Sequence, residues 1–403
     1  MANQSGLQAL GAKIDQSGGG RRRKRWSRRR KVVTVLTSLL VLILLIAGGG
    51  YWYLQRGIDS INGLHVGDEK AVESGAPFTI LVIGSDSRVG ENAAHFGSAS
   101  EVTGQRSDVL QLWRVTPSTH AIGIVSIPRD TVASMLGKDV SQFGQYNRIN
   151  SSFNSGADQL VKTIQANFGV TINHVVELDF SGFQDAVTAL GGVYLNFNYP
   201  AKDSYSGLNI TTTGCQLVTG FQALAVARAR HYEYFKNGYW QYDPTSDFGR
   251  IQRQDVFIRA LIAAAKSKIL NPLAVNNFVS SLHKGLVIDD GFSASEVIGL
   301  FEAYHSFNPA GLVAQTLPTV PSTAFGGLGD VLTVDEPATQ QMLVNIFGSS
   351  LVTPTDPAPN AGGESVPPPE VTPTTAGASP GSSSVTPTTT PPPSYNPTPC
   401  TPS

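Results

Sequence analysis

Arg106-Ser107-Asp108 and Arg129-Asp130 stand at the two ends of one short stretch of sequence. Between them run an apolar-leaning segment, Val109–Val115, a Pro117-Ser118 turn, and a second segment, Ala121–Ile127. Two extended runs around a Pro/Ser/Thr turn predict a β-hairpin. Antiparallel strands joined by a turn bring their far ends together. Arg106, Asp108, Arg129 and Asp130 are therefore expected at one edge of a sheet. Guanidinium groups fork onto phosphate oxygens, and carboxylates hold hard cations. The pattern suits a metal–phosphate substrate. Taken alone, the hairpin is equally compatible with plain salt bridges at strand ends.

Further charge comes from elements that must converge on that edge. Phe78–Ile83 is almost continuously apolar, the mark of a central strand buried on both faces. It delivers Ser85-Asp86-Ser87-Arg88 at its C-terminal end, where open α/β sheets place ligand sites. Asp247 starts a helix running to about Lys268, with Arg250, Arg253/Gln254, Phe257 and Leu261 spaced by threes and fours. The arginines share the face that becomes core one turn later. Buried arginines need anionic partners: a bound anion at the helix N-terminus, or internal carboxylates such as Asp108 or Asp130. Ser155 is positioned to cap a helix with the stripe Leu160, Val161, Ile164 and Phe168. Strands are expected at His174–Phe180 and Val193–Phe197. Helices are expected at Ser181–Leu190, Phe221–Arg228, Val275–Leu282, Ala294–Tyr304 and Thr339–Phe347. Met135–Gln145, Pro200–Gly214 and Tyr232–Ser246 have the composition of loops.

The net charge is −1, but nine of the 29 basic residues fall between Arg21 and Lys31. Val32–Leu54 follows without a charge and is long enough to cross a bilayer as a helix. Basic residues before the span keep the N-terminus in the cytoplasm and send the C-terminal bulk outside. The organisation expected is a cytoplasmic basic tail (1–31), a transmembrane signal anchor (32–54), a stalk (55–76), a catalytic domain (77–350) and a disordered Pro/Thr/Ser-rich tail (351–403). A cleaved signal peptide is the competing reading of the span. Cys215 and Cys400 are the two cysteines, able to pair outside the cell. No zinc-type Cys/His spacing and no Ser/His/Asp or Cys/His constellation stands out.

Six ordered pieces resemble the LytR–CpsA–Psr family of cell-wall ligases. They are Ile83-Gly84-Ser85-Asp86-Ser87-Arg88, Arg106-Ser107-Asp108, Ser126-Ile127-Pro128-Arg129-Asp130, Arg148-Ile149-Asn150, Arg228-Ala229-Arg230, and Asp247 through Gln254. The resemblance implies a three-layer α/β/α domain around a central mixed sheet. It implies transfer of a glycopolymer from a polyprenyl-pyrophosphate carrier to a muramic-acid hydroxyl of peptidoglycan, with polyprenyl phosphate released. Asp86 and Asp108 match magnesium-binding aspartates. Arg129, Arg228 and Arg230 match arginines that hold the pyrophosphate. Arg106, Arg148, Arg250, Arg253 and Gln254 sit at motif positions that support it. Asp247 matches the acidic member of the late motif; it or Asp108 is the candidate general base. Arg148 stands where many members have Lys. Phosphoryl transfer needs charge neutralisation and in-line positioning more than a covalent nucleophile. A pyrophosphatase using water as acceptor, and a glycan-binding scaffold without turnover, remain open. The expected partners are the lipid-linked glycopolymer, peptidoglycan and the membrane, with no nucleic acid; a teichoic acid, an arabinogalactan-like polymer or a capsular glycan fits equally.

Overall fold

The computed structural model describes residues 62–67, 72, 75–85, 107–268, 285–293, 296, 299–300, 303–304, 307–325, 327–360 and 393–401. The expected span Val32–Leu54 and the expected helix Val275–Leu282 lie outside them. Among the described residues no helix is long and apolar enough to cross a membrane.

In chain order the first half runs β1 (Asn62–Leu64), β2 (Phe78–Ser85), β3 (Ser107–Thr116), β4 (Ala121–Ser126), β5 (Val132–Ser134), α1 (Lys138–Phe143), β6 (Tyr146–Arg148), a 3-10 segment (Ile149–Ser155), α2 (Ala157–Phe168), β7 (His174–Asp179) and α3 (Phe180–Ala189). Then follow β8 (Val193–Phe197), β9 (Ala201–Asp203), β10 (Leu208–Ile210), β11 (Gly214–Val218), α4 (Gly220–Arg228), β12 (Glu233–Lys236), β13 (Tyr239–Tyr242) and α5 (Ser246–Lys268). The chain continues through β14 (Leu286–Asp289), β15 (Val313–Thr316), β16 (Thr319–Ser322), β17 (Val331–Val334), α6 (Ala338–Phe347) and β18 (Thr398–Pro399).

A seven-stranded sheet, ordered β1-β14-β7-β2-β3-β4-β15, is the centre of the domain. It is mixed: β2 lies antiparallel to β3 and parallel to β7. The alternation along β2 explains its unbroken apolar run. Leu81 and Ile83 face one way, into a core with Leu160, Val161 and Ile164 of α2 and Leu343 and Phe347 of α6. Phe78 and Ile80 face the other way, against Val115 and Phe292. Nearby, Ile124 of β4 meets Ile258 and Ile262 of α5. Each fully buried side chain of this size contributes roughly 1.5–3 kcal/mol. A second core joins β8 (Val193, Leu195, Phe197) to α4 (Ala223, Val226) and α5 (Val256, Phe257). The expected hairpin is β3–β4, with Thr116 opposite Ala121.

Five expectations need correction. Met135–Gln145 contains the short helix α1, and Pro200–Gly214 contains β9 and β10. The helix expected to be capped by Ser155 is preceded by Gly156 instead, at φ 103°, a conformation that favours glycine. Tyr232–Ser246 is a β-hairpin, not a loop, and Asn237 (φ 58°) and Gly238 (φ 87°) make its turn. The two positive φ values suit a turn whose twist matches that of the strands.

The fifth correction concerns the expected tail beyond Ser350. Val352 N–H donates to Gly169 O, and Ala358 is buried in the main core. Further on, β18 pairs with β8, Asn396 is buried, and Cys400 is disulfide-bonded to Cys215. A Pro/Thr-rich composition hides these few anchoring residues. Residues 361–392 lie outside the described residues.

Candidate active site

The open end of the β3–β4 hairpin carries the first part of the site. Arg129 bonds the Asp108 carboxylate, as the strand pairing predicts. Its Nε lies 3.5 Å from Asp130, whose other oxygen is 3.0 Å from Arg148 Nε. Arg148, at the end of β6, also donates to the carbonyls of Leu328 and Asp330. Arg106 and Asp86 lie outside the described residues.

The first turn of α5 supplies the second part. Arg250 is only 3% exposed and donates through Nη2 to the Asp108 carbonyl, at 3.0 Å. The same nitrogen is 2.9 Å from Asp247 Oδ1, and Arg230 Nε is 3.1 Å from that oxygen. Neither approach is aligned as a hydrogen bond: both Asp247 oxygens are buried without a donor, and the Nε atoms of Arg129, Arg230 and Arg250 are buried without an acceptor. Unmade hydrogen bonds of this kind cost about 1–3 kcal/mol each. They concentrate here around one carboxylate and three guanidinium groups.

The electrostatics agree with a crowded charge site. Burial works to lower the Arg129 pKa, but the carboxylates of Asp108, Asp130 and Asp247 outweigh it and raise it. Arg250 goes the other way. Burial lowers its pKa, and the positive charges of Arg129 and Arg230 add to the effect against Asp247 and Asp108. Repulsion between guanidinium groups is relieved when a polyanion enters between them.

Two further motif residues are not part of this cluster. Arg253 is fully buried and makes three hydrogen bonds: Nη1 to Asp243 at 2.7 Å and Asn396 at 2.8 Å, and Nη2 to the Ala229 carbonyl at 2.7 Å. Its guanidinium lies 4.4 Å over the Tyr232 ring. Gln254 donates to Ala227 O at 3.0 Å, tying α5 to the end of α4. Both residues, expected to support a head group, have internal partners instead. Gly249 belongs to this second network: a Cβ there would fall 2.2 Å from Asp243 Oδ2 and 2.4 Å from Thr245 Oγ1. Arg228, at the end of α4, has its guanidinium 4.3 Å above the Phe180 ring.

One carboxylate escaped the sequence reading. Glu177 of β7 stands beside Ile83 in the sheet and bonds the Ser85 side chain at the same sheet end as the site. Burial, with the Asp179 charge adding to it, raises its pKa despite that bond. The signal was available: two acids, Glu177 and Asp179, in the C-terminal half of a strand that begins His174-Val175-Val176.

For a divalent cation, Asp108 offers oxygen donors of the kind magnesium takes. Among the described residues no group of three or more His, Cys, Asp or Glu is gathered as a metal site. Asp108 is partly exposed while the Asp247 oxygens lack donors, so hard oxygen ligands are present around the arginines.

Comparison with known proteins follows the same lines. The polyisoprenyl-teichoic acid–peptidoglycan teichoic acid transferase TagU of Bacillus mycoides (strain KBAB4) is 32% identical over 215 residues, covering 53% of this chain and 60% of that protein. The chain thus spans less than two thirds of that relative's length. A LytR-Csp2A-Psr enzyme from Actinomyces oris has the same fold, with a TM-score of 0.57 at 22% identity over 73% of this chain and 97% of that one. TagV of B. subtilis gives a TM-score of 0.53 at 21% identity, over 68% of this chain and 97% of its own. The model of the LytR_cpsA_psr family matches residues 55–346, most of the sequence, so the chain belongs to the LytR_cpsA_psr family.

Proposed function

We propose that the protein is a phosphotransferase that moves a glycopolymer from a polyprenyl-pyrophosphate carrier to a muramic-acid hydroxyl of peptidoglycan. The observation that carries this reading is the set of buried, unpartnered polar atoms around Asp247, Arg129, Arg230 and Arg250. A pyrophosphate supplies acceptors for the free guanidinium nitrogens. The Bacillus mycoides relative, a transferase between polyisoprenyl-teichoic acid and peptidoglycan, supports the same substrate classes.

In this reading Arg129, Arg230 and Arg250 hold the pyrophosphate oxygens and stabilise charge as it shifts towards the leaving group. Arg148 fixes Asp130 beside Arg129 and so limits that arginine's freedom. The acceptor oxygen attacks the phosphorus next to the glycopolymer. The bond to polyprenyl phosphate breaks, that phosphate leaves with the electron pair, and a phosphodiester remains. The acceptor proton passes to Asp247, whose Oδ2 is left free while Arg230 and Arg250 pair with Oδ1. Asp108 is the weaker candidate base because Arg129 already occupies it. Asp108 and Asp86 would hold magnesium. When bound, that cation neutralises pyrophosphate charge.

The disulfide supports a position outside the cytoplasm, because such bonds persist in oxidising compartments. With the basic cluster and apolar span before it, the domain is proposed to face the wall from a single membrane anchor.

The test uses the purified full chain with a polyprenyl-pyrophosphate-linked glycopolymer, magnesium and a peptidoglycan oligosaccharide. Polyprenyl phosphate release and phosphodiester formation are followed together, beside Arg129→Ala and Asp86→Ala. Both products are expected from the native chain and neither from the variants. Release without attachment would favour hydrolysis by water. Substrate binding with no product would leave a glycan-binding scaffold.

A further inference from the structure

The hairpin β12–β13 joins β9 and β10 in a four-stranded sheet, ordered β10-β9-β12-β13. Side chains alternate across such a sheet, and directly paired residues share a face. Tyr234 opposes Ala201, and that face turns inward, with Ala201 and Leu208 buried and Tyr234 stacked on Tyr395. Phe235 opposes Trp240 and Glu233 opposes Tyr242 on the other face. There Phe235, Trp240 and Tyr242 are 38%, 40% and 50% exposed. Tyr205, from the β9–β10 turn, is 77% exposed, with its ring 4.3 Å from that of His231.

These rings are held rather than loose. The Lys202 ammonium sits 4.2 Å from the centre of the Trp240 ring, and Phe235 meets the same ring edge-on at 5.5 Å. Lys202 is in turn paired with Glu233 at 3.3 Å. Solvent-facing aromatics gathered on one face are uncommon on a domain that binds nothing there. Rigid aromatic rings give contact area at little cost in conformational entropy. The face is also continuous with the charged site. Tyr242 Oη donates to the Arg230 carbonyl at 3.4 Å, and the Arg230 side chain reaches Asp247.

We propose that this outer sheet face is a carbohydrate-binding platform for the acceptor, a β-linked pyranose chain of the wall, which it lays against the mouth of the arginine cluster. Pyranose rings present an apolar face of C–H groups to an aromatic ring, and their hydroxyls bond the polar rim. The charges favour a neutral glycan over an anionic polymer: Lys202 and Glu233 offset each other, so the face has no surplus of cations to hold repeating phosphates. An open sheet also lets a strand that continues in both directions pass across it, which a closed pocket would not. Calling this chain the acceptor rests on the transfer reading above; stacking of a glycan on the face does not.

The test is binding of a neutral β-1,4-linked N-acetylglucosamine hexamer to the full chain, followed by NMR or calorimetry. Measurable binding is expected, at least about tenfold weaker in Trp240→Ala and in Tyr242→Ala and largely kept in Trp240→Phe, which retains a ring. Arg129→Ala should bind like the native chain. That separates this proposal from failure of the transfer reading, since binding needs no turnover. No binding by the native chain, or equal binding by both alanine variants, would overturn it. So would quenching of Trp240 emission by brominated lipid in vesicles carrying the chain, read against Trp240→Phe, because the face would then meet the membrane.

Discussion

Arg250 and Arg253 lie three residues apart on α5, both buried, and they do opposite things. Arg253 makes three hydrogen bonds, and its carboxylate partner Asp243 is itself fully buried and bonded by Thr245 and Tyr395. Burial alone would raise the Asp243 pKa, but the bonds from Thr245 and Arg253 outweigh it and hold it below the ordinary value. Arg250 makes one hydrogen bond, to a carbonyl, and faces a carboxylate that has none. In the first network the carboxylate is satisfied and only Arg253 Nε lacks an acceptor; in the second the carboxylate itself has no aligned donor. A motif arginine therefore belongs to the site or to the scaffold according to whether its partners are already satisfied, not according to how deeply it is buried.

The comparison can be broken from its larger side first. Arg253→Ala leaves Asp243 buried without its cation, and loss of one partner of such a pair costs about 3–5 kcal/mol. Denaturant unfolding should show a loss of that size; a change under about 1 kcal/mol would mean that the Arg253–Asp243 network is not structural. Arg250→Ala should barely move stability, since it also removes repulsion with Arg129 and Arg230. Its transfer rate should fall by about 10²–10³, the usual loss for one preorganised charge-stabilising donor. A mainly thermal defect in Arg250→Ala would reverse the assignment.

Reducing the Cys215–Cys400 bond tests what secures Asn396 against Arg253. A loss of about 2–4 kcal/mol is expected, read as a lower unfolding midpoint in reductant. If Arg253→Ala and reduction act through the same network, their effects should sum to less than the two apart.

The smallest effect concerns a third charge on α5. Burial pushes the Asp255 carboxyl up to about 7, although Arg259 pulls against it. Between about pH 4 and 7 the unfolded chain ionises this group and the folded chain keeps it protonated. Its contribution to stability therefore falls as pH rises through that window. Asp255→Asn, which stays neutral, should flatten the stability–pH curve there; an unchanged slope would assign the pH dependence to other groups.

Much of the frame was legible because periodicity is a local property. The alternating β2 and the β3–β4 hairpin follow from apolar spacing, and with them the meeting of Asp108 and Arg129. The inward stripe on α5 was legible too, but not its partners. The sequence offered Asp108 or Asp130 for both arginines, whereas Arg253 takes Asp243, from the turn just before its own helix. The hairpin β12–β13 was missed because Pro, Gly and aromatic content suggested a loop. Asn237-Gly238, between strands of four residues, was the signal to weigh. Tyr395, Asn396 and Cys400 were hidden in a Pro/Thr-rich background, with Cys215 as the clue to them.

The Cys215–Cys400 bond also changes the connectivity of the molecule. It closes the backbone between those residues into a covalent ring that includes Arg230, Asp247 and Arg250. A single proteolytic cut anywhere from Gln216 to Pro399 opens the ring but releases no fragment. The nicked protein keeps its mass until a reductant is added.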